Sequence, residues 1–260
     1  MPARLFVVHG SHPCATAEQA LELKGVPFRR VEIPAAMQPL VMKPMFGGRT
    51  VPGIRFEDGE KVQGSRAILR ALERRVPNPP LYDGAAGAAA IEEAERWGDE
   101  VFQPVPRSLL WTAFGVYPRA MHAFQDGQRS PKLPMPVVLA AAKVILPVER
   151  RLNDVSDAAT RTAIAELPGM LDRIDGLIAA GVLNGERPNA ADLQIAPTLR
   201  LLWALRDLRP LIAGRPAEAY MSRWLAPMAA SVPEGALPMD RADASGAPAA
   251  APEGQAAPTG

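Results

Sequence analysis

The chain changes its hydrophobic rhythm once, near residue 77. Before that point short apolar runs alternate with one helical period after another. Residues 5–8 (LFVV) form an apolar run closed by His9-Gly10, the pattern of a buried strand. Residues 15–24 set Ala17, Ala20, Leu21 and Leu23 at helical spacing, with Gly25 as a stop and Pro27 just beyond. Residues 28–33 (FRRVEI) alternate apolar and polar, which predicts a second strand. Strand, helix, strand with a right-handed crossover makes a parallel pair. Residues 34–48, rich in Pro, Met and Gly, predict an irregular connection. Residues 50–56 predict a strand interrupted by Pro52, Glu57-Asp58-Gly59 a hairpin turn, residues 61–63 the return strand and residues 65–75 a helix.

After the proline-rich stretch 77–82 every periodic segment is helical. A helix is expected over 85–102, closed by Pro104 and Pro106, with 108–114 continuing it after a kink. Further helices are expected over 137–152, 157–180, 189–206 and 217–229. Residues 231–260 are mostly Ala, Pro, Gly and Glu with little to bury, and a disordered tail is expected there. The predicted organisation is an α/β domain (1–76), a linker (77–84), an all-helical domain (85–230) and the tail (231–260).

Composition narrows the function classes. Hydrophobic residues make up 48% and charged residues 22%, ordinary for a soluble globular chain. A formal net charge of +1 gives no general field for nucleic acid or anionic lipid, so neither partner is expected. The longest apolar stretch, 135–147, is broken by Pro136 and Lys143 and cannot span a bilayer. The single cysteine excludes an intrachain disulfide. A cytoplasmic protein is expected, with no metal.

Candidate chemistry concentrates at three places. Ser11-His12-Pro13-Cys14 sits between the first strand and the first helix. Cys14 falls in the first turn of that helix, where the dipole lowers a thiol pKa, yet free cysteines are among the most buried residues. His12 can serve as a general base or be an exposed loop histidine. Ser65 stands at a helix start, where free N–H groups suit a carboxylate; a plain N-cap is the alternative there and at Ser11. Asn189 and Asp192 form a capping arrangement, read as structural.

Taken together, four stretches resemble the soluble glutathione transferases, which pair a thioredoxin-like N-terminal domain with an all-helical C-terminal domain. They are the strand–SHPC–helix unit with ALELKGVPF behind it, TVP (50–52), QGSRAI (63–68) and GERPNAADLQIAP (185–197). Order and spacing agree over roughly residues 1–230. The resemblance implies a cis bond at Val51-Pro52, presenting the Val51 backbone to glutathione. It implies Ser65 on the γ-glutamyl carboxylate, with Arg49 near the lysine position of relatives. It implies Ser11 as the hydroxyl that stabilises the glutathione thiolate, with Cys14 as the rival catalytic residue. Gly64 departs from the pattern, since an acidic residue is common before that serine. The implied function is conjugation of glutathione, or a related thiol, to a small hydrophobic electrophile. The alternatives are a non-catalytic binding module and a Cys14-dependent reductase or lyase. The electrophile site is implied between the domains, with Trp97, Phe102, Trp111, Phe114 and Tyr117 as candidates. A homodimer is implied as well.

Overall fold

The computed structural model describes residues 2–239. Its first unit is a four-stranded sheet in the order β2-β1-β3-β4. Strands β1 (Ala3–Val7) and β2 (Phe28–Glu32) are parallel and joined by α1 (His12–Leu23). Strands β3 (Gly53–Arg55) and β4 (Lys61–Gln63) form the antiparallel hairpin, with Leu5 opposite Ile54 and Ile54 opposite Val62. Helix α3 (Ser65–Arg75) packs its buried stripe, Ile68, Leu69 and Leu72, beneath the sheet. This is the thioredoxin-like arrangement that the sequence pattern predicts.

The stretch 34–48 departs from expectation. It holds a helix, α2 (Gln38–Phe46), despite Pro39 and Pro44. Pro39 falls in the first turn, where its missing N–H costs nothing, and Gly47 ends the helix in the left-handed region. Lys24, at the end of α1, is buried and tied to α3. Its ammonium meets Glu73 at 2.5 Å and the Val76 carbonyl at 2.7 Å. Pairing of this kind is what permits a buried lysine.

The second unit is helical throughout. Helix α4 (Ala88–Trp97) passes into a wide π-type turn, Gly98–Phe102, and on into α5 (Pro104–Val116). Pro104 and Pro106 therefore open a helix, where the sequence reading has them close one. Pro104 lacks the N–H that a continuous α-ladder needs, and Gln103 N donates five residues back to Gly98 O at 2.9 Å. A short α6 (Ala120–Ala123) precedes α7 (Met135–Leu152), α8 (Asp157–Ala179) and α9 (Ala190–Ala204). Short α10 (Arg209–Ile212) and α11 (Pro216–Trp224) complete the domain.

Helix α9 is the axis of the molecule. Of its 15 residues only Arg200 and Trp203 are not buried. Its start is held by the expected capping box. Asn189 Oδ1 accepts from Asp192 N at 3.1 Å and Asp192 Oδ2 accepts from Asn189 N at 3.0 Å. Asn189 Nδ2 also donates to the Val182 carbonyl at 2.7 Å, so one side chain satisfies three buried main-chain groups.

Residues 231–239, expected to open the tail, are packed instead. Val232 is fully buried and bridges Leu205, while Asp207 accepts from the amides of Gly235, Ala236 and Leu237. A few apolar residues suffice because an adjacent carboxylate satisfies the backbone. The rest of that expectation, 240–260, lies outside the described residues. Asn189→Ala should lower the unfolding free energy by about 2 kcal/mol, since a cap and a buried bond go together. Urea denaturation checks this; a loss under about 0.5 kcal/mol would contradict the capping account.

Candidate functional site

The loop before β3 is held in shape by one glutamine. Gln63 Oε1 accepts from Gly48 N at 3.0 Å, and its Nε2 donates to the Thr50 carbonyl at 2.7 Å. Gly64 N donates to the Pro52 carbonyl at 2.9 Å. The Val51-Pro52 bond is cis, as the resemblance implies; Asn78-Pro79 is cis too, which nothing in the sequence signalled. Among the described residues the Val51 main chain makes no hydrogen bond, so its N–H and C=O are open to an extended ligand. Arg49 stands exposed on the rim, its carbonyl accepting from Gln38 Nε2 at 2.9 Å.

Beside this loop lies a cleft of about 460 Å³, lined by Gln63, Gly64, Ser65, Arg66, Arg70 and Asp99. Gly64 has φ +93, which side-chain-bearing residues rarely adopt, so an acidic residue would be strained here. Ser65 follows as the first residue of α3 and is not its cap, because Gly64 holds that position. The Ser65 hydroxyl is instead the centre of a buried polar knot between the two units. It accepts from Gln194 Nε2 at 3.2 Å and Gln103 Nε2 at 3.4 Å. Both amides also reach Asp99 Oδ1, at 2.9 Å and 3.3 Å. Burial pushes the Asp99 carboxyl above its usual range, while Arg66 nearby and the Ser65 hydroxyl pull it back. Gln194 Oε1 is buried without a partner, an open acceptor in the same knot.

Asp99 reaches Ser65 because of the wide turn that carries it. A Cβ on Gly98 would meet Ile195 Cγ1 at 2.9 Å, so only glycine lets α9 approach this closely. None of Asp99, Gln103 and Gln194 is legible as a site residue from the sequence. They come from two helices distant in the chain, and their joint role exists only once the units dock.

Ser11 occupies the N-cap position of α1 but makes no side-chain cap bond. Its hydroxyl lies against Cys14. Cys14 is buried, and burial pushes its thiol up to about 12, outweighing the Ser11 hydroxyl that pulls it down. His12 is not the exposed loop histidine that the sequence suggests; it is buried. Its Nε2 donates to the Gln103 carbonyl at 3.1 Å, which assigns Nδ1 as the free acceptor. Burial, with the charges of Arg107 and Arg200, lowers its pKa to about 3, so the ring is neutral at ordinary pH.

The segment before α7 folds over this corner. His9 Nε2 donates to the Asp126 carbonyl at 2.8 Å. Glu32 accepts from Arg129 N at 3.1 Å and from the Ser130 hydroxyl at 3.2 Å. A Cβ at Gly10 would meet Met228 Cε at 3.8 Å and Phe124 Cδ1 at 3.9 Å. The aromatic candidates divide. Trp97 and Phe102 are stacked at 5.2 Å and buried in the core. Trp111 and Phe114 join Phe124 in an edge-on series beneath the covering segment. Tyr117 is partly exposed at the end of α5.

With this geometry described, comparison with known proteins becomes informative. Residues 5–80 match the family model described as glutathione S-transferase, N-terminal domain. No curated protein matches the chain. Among solved structures, a glutathione S-transferase from Methylobacterium radiotolerans, in complex with glutathione sulfonate, is 21% identical. That alignment covers 93% of this chain and 99% of the other, with a TM-score of 0.54. Glutathione transferase F7 from Populus trichocarpa is 14% identical over 87% of this chain and 95% of its own, with a TM-score of 0.58. A glutathione S-transferase from Rhodospirillum rubrum is 21% identical over 85% of each chain, with a TM-score of 0.51.

The chain has the glutathione transferase superfamily fold. Among the described residues no helix is long and apolar enough to cross a membrane. Nor does any group of three or more His, Cys, Asp or Glu residues gather to hold a metal ion. The cleft at Ser65 and the Ser11 corner lie at the starts of α3 and α1. Cys14 in the native protein should react with a disulfide reagent at neutral pH far more slowly than after denaturation. A full thiol count within seconds on folded protein would contradict its burial and raised pKa.

Proposed function

We propose that this chain binds glutathione, or a closely related thiol, along Val51, Pro52 and Ser65 and transfers it to a small electrophile. The tripeptide lies extended beside residues 49–52, its main chain pairing with Val51 and its glycyl end toward Arg49. Its γ-glutamyl carboxylate sits on the Ser65 hydroxyl and the first amides of α3, where the helix dipole favours an anion. Asp99 takes the ammonium, the task that Gly64 cannot perform. Ser11 donates to the thiolate, favouring the charged sulfur and lowering its pKa. The sulfur lone pair then attacks the electrophilic carbon, the C–S bond forms, and the leaving group departs with its electron pair.

The single observation that carries this reading is the placement of Asp99 in the cleft beside Ser65. It offsets the departure at Gly64, since a carboxylate reaches the cleft from the helical unit. In the non-catalytic alternative Ser11 and Ser65 act only as caps; Ser11 makes no side-chain cap bond, and Ser65 is not the cap of α3 but bonds across the two units. The Cys14 alternative needs a thiolate where burial favours the thiol. A homodimer in the cytoplasm is part of the same proposal and rests on resemblance.

Calorimetry with glutathione tests the site. Wild type should bind, and both Ser65→Ala and Asp99→Asn should weaken binding by about tenfold or more, the cost of one bond to a charged group. Unchanged affinity in both variants would remove the reading. Turnover should rise with pH through the pKa of the bound thiol, because the thiolate is the reactive form. Ser11→Ala should move that rise to higher pH and leave glutathione affinity within about threefold. An unmoved profile would take the thiolate role from Ser11.

A further inference from the structure

Two arginines at the junction of the domains lack the carboxylate partner that most of the partly buried arginines have. Arg30, Arg66, Arg70, Arg150 and Arg215 each pair with one or more carboxylates, and Arg209 donates to the Trp203 carbonyl. Arg107 on α5 and Arg200 on α9 form no ion pair among the described residues, although both are partly buried. Arg107 Nη2 donates to Gln103 Oε1 at 2.9 Å, a neutral acceptor. Arg200 Nε is buried and has no acceptor among the described residues. Burial lowers the pKa of both guanidiniums, the expected effect of a charge withdrawn from water without a counter-ion.

Both converge on the start of α1. Helices α1 and α9 run antiparallel, because Leu193 lies in one cleft with Gln19, Glu22 and Leu23. Seven residues farther along α9, about 10 Å, Arg200 reaches the opening turn of α1. There it acts through space on His12, as does Arg107 from α5, on the residue next to Ser11. Three carboxylates act on these arginines without pairing directly with them among the described residues. Glu18, which faces Arg200, is bound to Arg30. Glu149 and Asp99, which face Arg107, are bonded to Asn153 and to the two glutamines. His12 is neutral and donates to a carbonyl, so it answers neither cation. The first turn of α1 adds the positive end of a 12-residue helix. Glu18, Glu149 and Asp99 thus act on the two guanidiniums only through space, and neither guanidinium has a carboxylate at ion-pair distance among the described residues.

We propose that the electrophile taken by this site carries an anionic group, a carboxylate above all, seated between Arg107 and Arg200 beside Ser11. The inference rests on the transferase reading of this cleft and adds the class of the second substrate. A carboxylate accepts from guanidinium in a paired geometry that a neutral group cannot match, and here it replaces an unpaired buried charge with a paired one. The same arginines could in principle hold a carboxylate of glutathione itself, so the test separates the two sources.

The probes are 3,5-dinitrobenzoate and its uncharged partner 3,5-dinitrobenzamide, titrated calorimetrically into the full chain, with and without saturating glutathione. The acid should bind at least about tenfold tighter than the amide. That preference should shrink in Arg200→Gln and in Arg107→Gln, and glutathione should leave the acid bound. Equal affinity for the two probes would overturn the proposal. So would a preference that survives both substitutions, or displacement of the acid by glutathione, which would assign the arginines to the peptide. Should either variant fail to fold, the wild-type comparison and the competition still decide it. Absence of glutathione binding would sink the transfer reaction yet leave the acid–amide comparison readable.

Discussion

The two units of this chain are joined through a buried polar contact, and the site depends on it. The Ser65 hydroxyl, Asp99 and the amides of Gln103 and Gln194 satisfy one another across the junction. Such a knot costs free energy if any member loses its partner, because a buried polar group without a bond pays its full desolvation. It therefore fixes the register between α3, the wide turn and α9 more narrowly than apolar packing alone. The main chain has adjusted to it. Gly98 admits α9, and the five-residue bond across Gly98–Phe102 turns Asp99 toward the serine.

The same junction bears on the chemistry proposed for the Ser11 corner. Its histidine is neutral, its cysteine is a thiol, and its arginines form no direct ion pair among the described residues. A site of this composition stabilises negative charge brought to it and generates little of its own. That suits a reaction whose nucleophile arrives as the thiolate of a bound peptide. It does not suit one that requires a protein thiolate.

Much of the fold was legible because its signals are local. The stop at Gly25, the turn at Glu57-Asp58-Gly59 and the capping box at Asn189-Asp192 each lie within a few residues of the element they define. The return strand 61–63 and the helix 65–75 match their predicted bounds. What was missed is non-local. Pro104 reads as a stop in sequence and acts as a start, because the π-type turn before it has no sequence pattern of its own. His12 reads as a loop residue, yet it is buried, with its ring bonded to the carbonyl of Gln103, 91 positions away. The segment 231–239 looks featureless, yet Val232 and the carboxylate of Asp207 give it a place. Of the proposed site, Ser11, Val51, Pro52 and Ser65 could be named from motifs. Asp99, Gln103, Gln194, Arg107 and Arg200 could not, since single polar residues on helices carry no spacing signal.

Amide hydrogen exchange with and without saturating glutathione tests the central claim most directly. If the polar knot is the floor of the thiol site, bound glutathione should slow exchange at the first amides of α3 and at Val51. The turn 98–103 on the opposite unit should be protected at the same time, because Asp99 and Gln103 share bonds with Ser65. Saturating glutathione that leaves both regions unchanged, or protects one without the other, would contradict the account.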